Sequence, residues 1–400
     1  MAPAPAGTGR ARATGRAVTT VVRADGICLP GGARGRNGDE PRRPGPGWVA
    51  VDGDRIAGAG TGDAPAGATD LGPLVLAPAY VDLQVNGLGT VDLASADPAG
   101  VADLARELGR RGIGAFCPTL TSRSVAEYGP WLDRIAQARR AAAAPGDGPA
   151  AALLGAHLEG PFLGAAPGAH DPAALRTADV PWLEGLLDAH AGEVAVVTLA
   201  PEADPDQRAT RALTARGVTV ALGHSRAAFE SVAPYVGAGA TVVTHLFNGM
   251  GPLHHRAPGL AGAALVDDRL VPTVIADGVH VHPAVLSIVL AAKPRVALVS
   301  DTVATPAAPG APRAVDGAAR LPDGTLAGAT VTLDRAVATL YGLGVPLRRA
   351  VAMASEVPAD LVGAPDRGRL AEGARADVVA VDPEDARVRA VWLGGRADGR

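Results

Sequence analysis

The chain has 400 residues and a formal net charge of -4, which argues against nucleic acid or an anionic membrane surface as partner. Its two cysteines, Cys28 and Cys117, form no Cys-x-x-Cys, so neither a disulfide framework nor a thiolate zinc site is supported. A reducing, cytoplasmic setting is expected. No apolar run is long enough for a membrane span, and aromatics at 3% leave the core to Val, Leu and Ala.

Residues 1–17 are mostly Ala, Gly, Pro and Arg and are expected to be a disordered tail. Residues 18–23 read as a strand, and the Gly/Arg/Pro-rich segment 30–46 as a loop. A hairpin follows from Trp48, turning at Asp52-Gly53-Asp54. These β signals have no helices between them. The pattern changes near Pro73. One apolar strand is expected over 74–86, ending in Gln84-Val85-Asn86. Strands are then expected at 115–120, 152–158, 194–199, 218–222, 241–244, 271–276 and 296–300. Helical stretches are expected at 99–111, 125–144 and 180–189, with a further one between His224 and His245. Pro234 falls inside that last one and should kink or split it. Helices are also expected at 333–343 and 347–361, and strands at 376–382 and 388–393.

About eight strands with helical connections is the count of a closed (β/α)₈ barrel, a TIM-like α/β fold. The expected division is a barrel over 74–364 and a small β-sandwich domain from both chain ends, 18–73 plus 365–400.

Polar residues at the C-terminal ends of barrel strands carry chemistry more often than structure. Here they are Gln84, Asn86, Glu159, His224, His245, His280 and Asp301. Glu159 alone could be a solvated turn residue, and either histidine alone a satisfied core group. Together, one carboxylate and two imidazoles at three strand ends match a catalytic zinc set. His157, inside its strand, reads as core or as support for the site. His190, His254 and His282 read as surface or loop residues. Asp301 could move a proton to and from reacting groups, or cap a helix, although Thr302-Val-Ala-Thr-Pro is a poor helix start. Gln84 and Asn86 are weak metal ligands, which argues for one metal site. Arg256 suits phosphate or carboxylate, and reads equally as an exposed loop arginine.

The segments Gln84-Val-Asn-Gly87, His157-Leu-Glu-Gly-Pro161, Gly223-His-Ser225, Thr244-His-Leu-Phe-Asn248, Arg256-Ala-Pro-Gly-Leu-Ala-Gly262, Ile275-Ala-Asp-Gly-Val-His280, Ser300-Asp301 and Gly324-Thr-Leu-Ala-Gly328 occur in this order. With them the chain resembles the N-acetylglucosamine-6-phosphate deacetylase family of the amidohydrolase superfamily. The resemblance implies one divalent metal ion, Zn²⁺ by preference with Fe²⁺ or another ion as alternatives, on Glu159, His224 and His245. It implies Asp301 as catalytic acid/base, with His280 assisting. Substrate contacts would come from Gln84, Ala169, His170, Asn248, Gly249, Asp277, His280, Leu326, Ala327 and Gly328. Arg256 would reach the substrate phosphate in a neighbouring subunit of a homodimer. The implied reaction releases acetate from N-acetylglucosamine 6-phosphate. The alternatives are the galactosamine epimer, a cyclic amide, or a non-catalytic sugar-phosphate binder. Gly249 stands where the family usually has alanine, and tolerance of that exchange is expected. Ala77-Pro-Ala-Tyr80 and the length of 30–46 also depart from the family pattern.

Overall fold

A computed structural model describes residues 20–31, 41–142 and 148–398. The expected tail over 1–17 and most of the 30–46 segment lie outside the described residues. Eight parallel strands form the centre. We label them β1 (Tyr80–Val85), β2 (Ile113–Thr121), β3 (Ala156–Glu159), β4 (Val194–Leu199), β5 (Thr219–Leu222), β6 (Ala240–Val243), β7 (Val271–Val274) and β8 (Ala297–Leu298). Each pairs with the next in chain order. The strand Ala152–Leu153 also pairs with β2. The last seam closes just beyond β8. Asp301 N donates to Gln84 O at 2.9 Å, and Asn86 N to Thr302 O at 2.8 Å. The expected barrel is therefore present. Its interior holds Leu83, Val196, Ala221, Val242 and Val299 around His157. That imidazole is satisfied there, with Nδ1 donating to Leu83 O and Nε2 accepting from Thr198 Oγ1, both at 2.8 Å.

The chain ends build two further sheets. One joins Thr20–Ala24, Gly47–Asp52, Arg55–Thr61 and Thr69–Asp70. The other joins Gly26–Ile27, Val75–Pro78, Val378–Val381, Val388–Leu393 and Arg396–Ala397. They share a core of Val22, Val49, Ile56, Leu76, Ala376 and Val378, which is the expected small sandwich. Cys28 and Cys117 are buried and unbridged. Among the described residues no helix is long and apolar enough to cross a membrane.

Two local expectations are corrected. The stretch 74–86 is two strands, because the chain changes sheets at Ala79. Ala79 N donates to Asp377 O and Tyr80 N to Gly112 O, each at 2.9 Å. The helix expected around Pro234 is split, into a 3-10 turn, Phe229–Ser231, and a short helix, Ala233–Gly237, and Pro234 sits in the first turn of the second, where its missing N–H costs nothing. The helix expected over 347–361 is two, Leu347–Ala354 and Glu356–Leu361, broken at Ser355 with φ -136° and ψ -75°. Helices at Gly259–Val266 and Pro283–Ala292 escaped the sequence reading because almost every residue in them is apolar. Without a polar face there is no 3.6-residue alternation to detect.

Asp82 secures the barrel seam from within. Its buried Oδ1 accepts from Gln84 N at 3.2 Å and from Ser300 N at 3.1 Å, tying β1 to the residues after β8. Burial pushes its carboxyl up to about 6. A raised value favours the fold below the ordinary carboxylate range, and that contribution is lost as pH rises through about 6. Asn at 82 keeps an oxygen acceptor and carries no charge. The Asp82→Asn variant is expected to gain stability over the wild type between pH 5 and pH 8, by ~1–3 kcal/mol. Melting temperatures at the two pH values measure this. An identical difference at both would show that Asp82 does not titrate in that window.

Candidate metal and catalytic site

The site lies where the barrel strands end. Glu159 is the last residue of β3, His224 lies two past β5, and His245 two past β6. Asp301 lies three past β8. His224, His245 and Asp301 have φ values of 48°, 28° and 52°. Left-handed backbone is uncommon for non-glycine residues and concentrates at functional sites. Here it turns each side chain back over the barrel mouth. The floor of a cavity of about 580 Å³ is formed this way.

Three ligand-type atoms converge. His245 Nε2 lies 2.9 Å and His224 Nε2 3.1 Å from Glu159 Oε1, and the two Nε2 atoms are 3.1 Å apart. Tetrahedral ligands at ~2.0–2.1 Å from zinc would stand roughly 3.3 Å from one another, so the spacing suits a small divalent cation. The tautomer of His224 suits it as well. Its Nδ1 donates to Ala166 O at 3.0 Å, which leaves the Nε2 lone pair facing inward. Burial pushes the Glu159 carboxyl up, but the His170, His224 and His245 imidazoles outweigh it and hold it well below the ordinary range.

His170 is the competing third imidazole. It groups with Glu159 and His224 within 4.8 Å, and its Nε2 is 3.6 Å from Glu159 Oε2. Its Nδ1, however, accepts from Ser122 N at 3.1 Å. In the neutral ring Nε2 then carries the proton and has no lone pair for a metal. Burial lowers its pKa and favours that neutral ring. His245 is therefore the better third ligand.

Around this cluster, Asn86 Nδ2 donates to Asp301 Oδ1 at 2.8 Å. Burial first, and the charge of Glu159 second, push the Asp301 carboxyl up to about 8. Asp301 caps no helix, since the next helix begins at Leu333. Across the cavity, His280 Nδ1 donates to Asp277 Oδ2 at 2.6 Å. The His280 and Val279 amides bond the other oxygen of that carboxylate. Burial raises the Asp277 pKa, but these bonds prevail and lower it.

Residues 76–397 match the model of the amidohydrolase family. The chain belongs to the amidohydrolase family. It is 36% identical over 344 residues to an N-acetylgalactosamine-6-phosphate deacetylase of Escherichia coli O157:H7, covering 83% of this chain and 90% of the relative. It is 38% identical over 351 residues to an N-acetylglucosamine-6-phosphate deacetylase of Bos taurus, covering 82% and 84%. A solved Mycobacterium smegmatis N-acetyl-D-glucosamine-6-phosphate deacetylase mutant, in complex with N-acetyl-D-glucosamine-6-phosphate, superimposes with a TM-score of 0.85. It is 31% identical, and the match covers 94% of this chain and 98% of that one.

An amidohydrolase of this kind works with a divalent metal, and Glu159 and His224 with His245 or His170 could hold it. Of the other residues singled out in the sequence, Ala169, His170, Asn248, Gly249, His280, Leu326, Ala327 and Gly328 all line the cavity. The last three arrive on a short antiparallel sheet, Arg313–Val315, Ala318–Arg320 and Leu326–Ala329, which the sequence reading missed. Ala329 N bonds Asp301 O at 2.9 Å and lays this sheet beside Asp301.

Two residues are placed differently from the expectation of substrate contact. Gln84 lies behind the carboxylate, with Nε2 donating to Glu159 Oε1 at 2.9 Å. The Asp277 side chain is fully covered and meets His280, not the cavity. Arg256 is exposed on its loop, with Nη1 bonded to His255 Nε2, and does not line the cavity of its own chain. At Gly249 the backbone favours the glycine that stands there. Its φ is +57°, and a Cβ there would come 2.7 Å from His224 Nδ1. Sequence reasoning missed Arg123, which lines the cavity two residues past β2. The strand-end rule that found Glu159 would have found it too.

Proposed function

We propose that this amidohydrolase removes the acetyl group from N-acetylglucosamine 6-phosphate, giving glucosamine 6-phosphate and acetate. The observation that carries the reading is Asp301, buried and oriented by Asn86, on the same cavity floor as the Glu159, His224 and His245 cluster. A pure binder needs neither. One nitrogen–oxygen donor set supports one ion, and two imidazoles with a carboxylate favour Zn²⁺. When held by Glu159, His224 and His245, such an ion supplies an acidified water and a polarised acetyl carbonyl.

The chain's own residues do the rest. Asp301 accepts the proton of the attacking water through the oxygen that Asn86 leaves open. It then delivers that proton to the departing amine, without which the C–N bond does not break. His280 is aligned by Asp277 through Nδ1, which leaves its Nε2 for the oxygen that gains charge. Asn248, Gly249 and the Leu326-Ala327-Gly328 segment flank the sugar. His170 closes the wall beside Glu159.

The active form in this reading is a homodimer, in which Arg256 of one protomer approaches the substrate phosphate of the other. Its support is the exposed Arg256 loop and, beside it, the exposed apolar Leu253 and Val266, 47% and 71% accessible. Leu253 precedes the helix Gly259–Val266, and Val266 is its last residue. The setting is the cytoplasm.

Relatives of both sugar configurations match this chain at similar identity, so the galactosamine epimer is the second reading. Acetate release from both N-acetylhexosamine 6-phosphates and from unphosphorylated N-acetylglucosamine, before and after chelation, tests the proposal. The glucosamine 6-phosphate series should be the best substrate and should need metal. In the same assay Arg256→Gln should raise KM for the phosphorylated sugar alone. Turnover that survives exhaustive chelation, or a preference for the galactosamine epimer, overturns the reading.

A further inference from the structure

We infer that Arg123 is a phosphate-binding residue acting in the cavity of its own protomer. The inference rests on the reading of the substrate as a sugar phosphate, and adds a contact within the same chain to the one expected from Arg256. Arg123 is the sole lysine or arginine among the residues lining the cavity. The imidazoles there do not replace it. His224 and His245 face the Glu159 carboxylate, His170 Nδ1 accepts from Ser122 N, and His280 is bonded to the Asp277 carboxylate. A phosphate dianion entering this cavity meets one permanent cation from its own chain.

The placement of Arg123 is fixed from its neighbours. Thr121 ends β2 and also lines the cavity. Ser122 comes next, with its N donating to His170 Nδ1 at 3.1 Å and its Oγ 3.0 Å from the same nitrogen. The His170 ring in turn packs edge-on against His224, with centroids 4.5 Å apart. The backbone that carries Arg123 is therefore tied to the metal-ligand cluster, while the arginine itself is exposed at the rim. Several surface arginines are paired with a carboxylate, among them Arg106, Arg110, Arg111, Arg139 and Arg216. Arg123 has no carboxylate ion pair among the described residues. Asp92 also lines the cavity, but its Oδ1 accepts from Ala94 N at 3.0 Å and its Oδ2 lies 3.4 Å from Ser95 Oγ. It is occupied with its own turn.

A planar guanidinium at the rim suits the two-oxygen face of a phosphate monoester. The scissile amide would lie at the floor and the 6-phosphate at the rim.

The test compares Arg123→Gln, Arg123→Lys and Arg256→Gln with the wild type. Readouts are KM and kcat on N-acetylglucosamine 6-phosphate and on N-acetylglucosamine, and inhibition by inorganic phosphate. Arg123→Gln should raise KM for the phosphorylated sugar ~10–100-fold, the range of a lost charge-assisted hydrogen bond. Its kcat should stay close to wild type, its activity on the unphosphorylated sugar should not change, and phosphate should inhibit it more weakly. Arg123→Lys should recover part of the loss. An unchanged KM, or equal losses on both sugars, overturns the assignment. If the wild type hydrolyses neither sugar, the functional reading fails. Calorimetric binding of inorganic phosphate to wild type and Arg123→Gln then still decides the role of Arg123, with equal affinities counting against it.

Discussion

Replacing Asp301 by Asn is expected to leave metal content unchanged and to lower turnover by about 10²-fold or more, the range of general acid/base contributions. The substitution is nearly isosteric. Asn keeps an oxygen that accepts from Asn86 Nδ2, so the hydrogen bond that orients the side chain survives. What disappears is the capacity to take up and return a proton. The loss should fall on kcat and spare KM, because Asp301 acts on the reacting atoms and not on the sugar. The environment makes the residue sensitive to its surroundings. Burial and the negative charge of Glu159 push its carboxyl up to about 8. A cation on Glu159 cancels the second of these pushes, which leaves more of the carboxylate form available near neutral pH. Near-normal turnover in Asp301→Asn would remove it from the mechanism.

The Glu159→Gln variant is expected to lose both metal and activity. The carboxylate supplies the negative charge on which His224 Nε2 and His245 Nε2 converge, at 3.1 and 2.9 Å. A neutral amide cannot compensate a dication, and its NH₂ group would face imidazoles that already present lone pairs. Altering residues that merely orient metal ligands weakens binding ~10–100-fold, and removal of a charged ligand should exceed that. Several kcal/mol of transition-state stabilisation go with the ion, or roughly 10³-fold and more in rate. Metal analysis of dialysed protein, alongside acetate release, reads both effects. A variant that keeps a full complement of metal would transfer the ligand role elsewhere, with His170 the first alternative.

Much of this architecture could be read from residue order. The helix 180–189 and the strand 194–199 emerged with the bounds expected of them, since each has a clear period and a clear stop. Elements that failed did so for identifiable reasons. Gly259–Val266 and Pro283–Ala292 are apolar nearly all round, so their periodicity is silent. The switch of sheets at Ala79 leaves no mark in a run of apolar residues. It is decided by which partner offers a carbonyl to the Ala79 and Tyr80 amides.

At the site, the chemistry of Glu159, His224, His245 and Asp301 was legible because barrel strands deliver their ends to one rim. Residue types at successive strand ends therefore amount to an inventory of the cavity floor. That much local order determines: a (β/α)₈ barrel, a small sandwich from the chain ends, and an acid beside a nitrogen–oxygen donor cluster. Tertiary structure alone decided which side chains face the cavity and which stand behind it. Gln84 supports Glu159 and Asp277 supports His280, while Arg123 lines the cavity. The reason is directional. A strand end places a residue at the rim, but its backbone angles and the partner of each nitrogen or oxygen determine where it points, and those partners come from strands far apart in the chain.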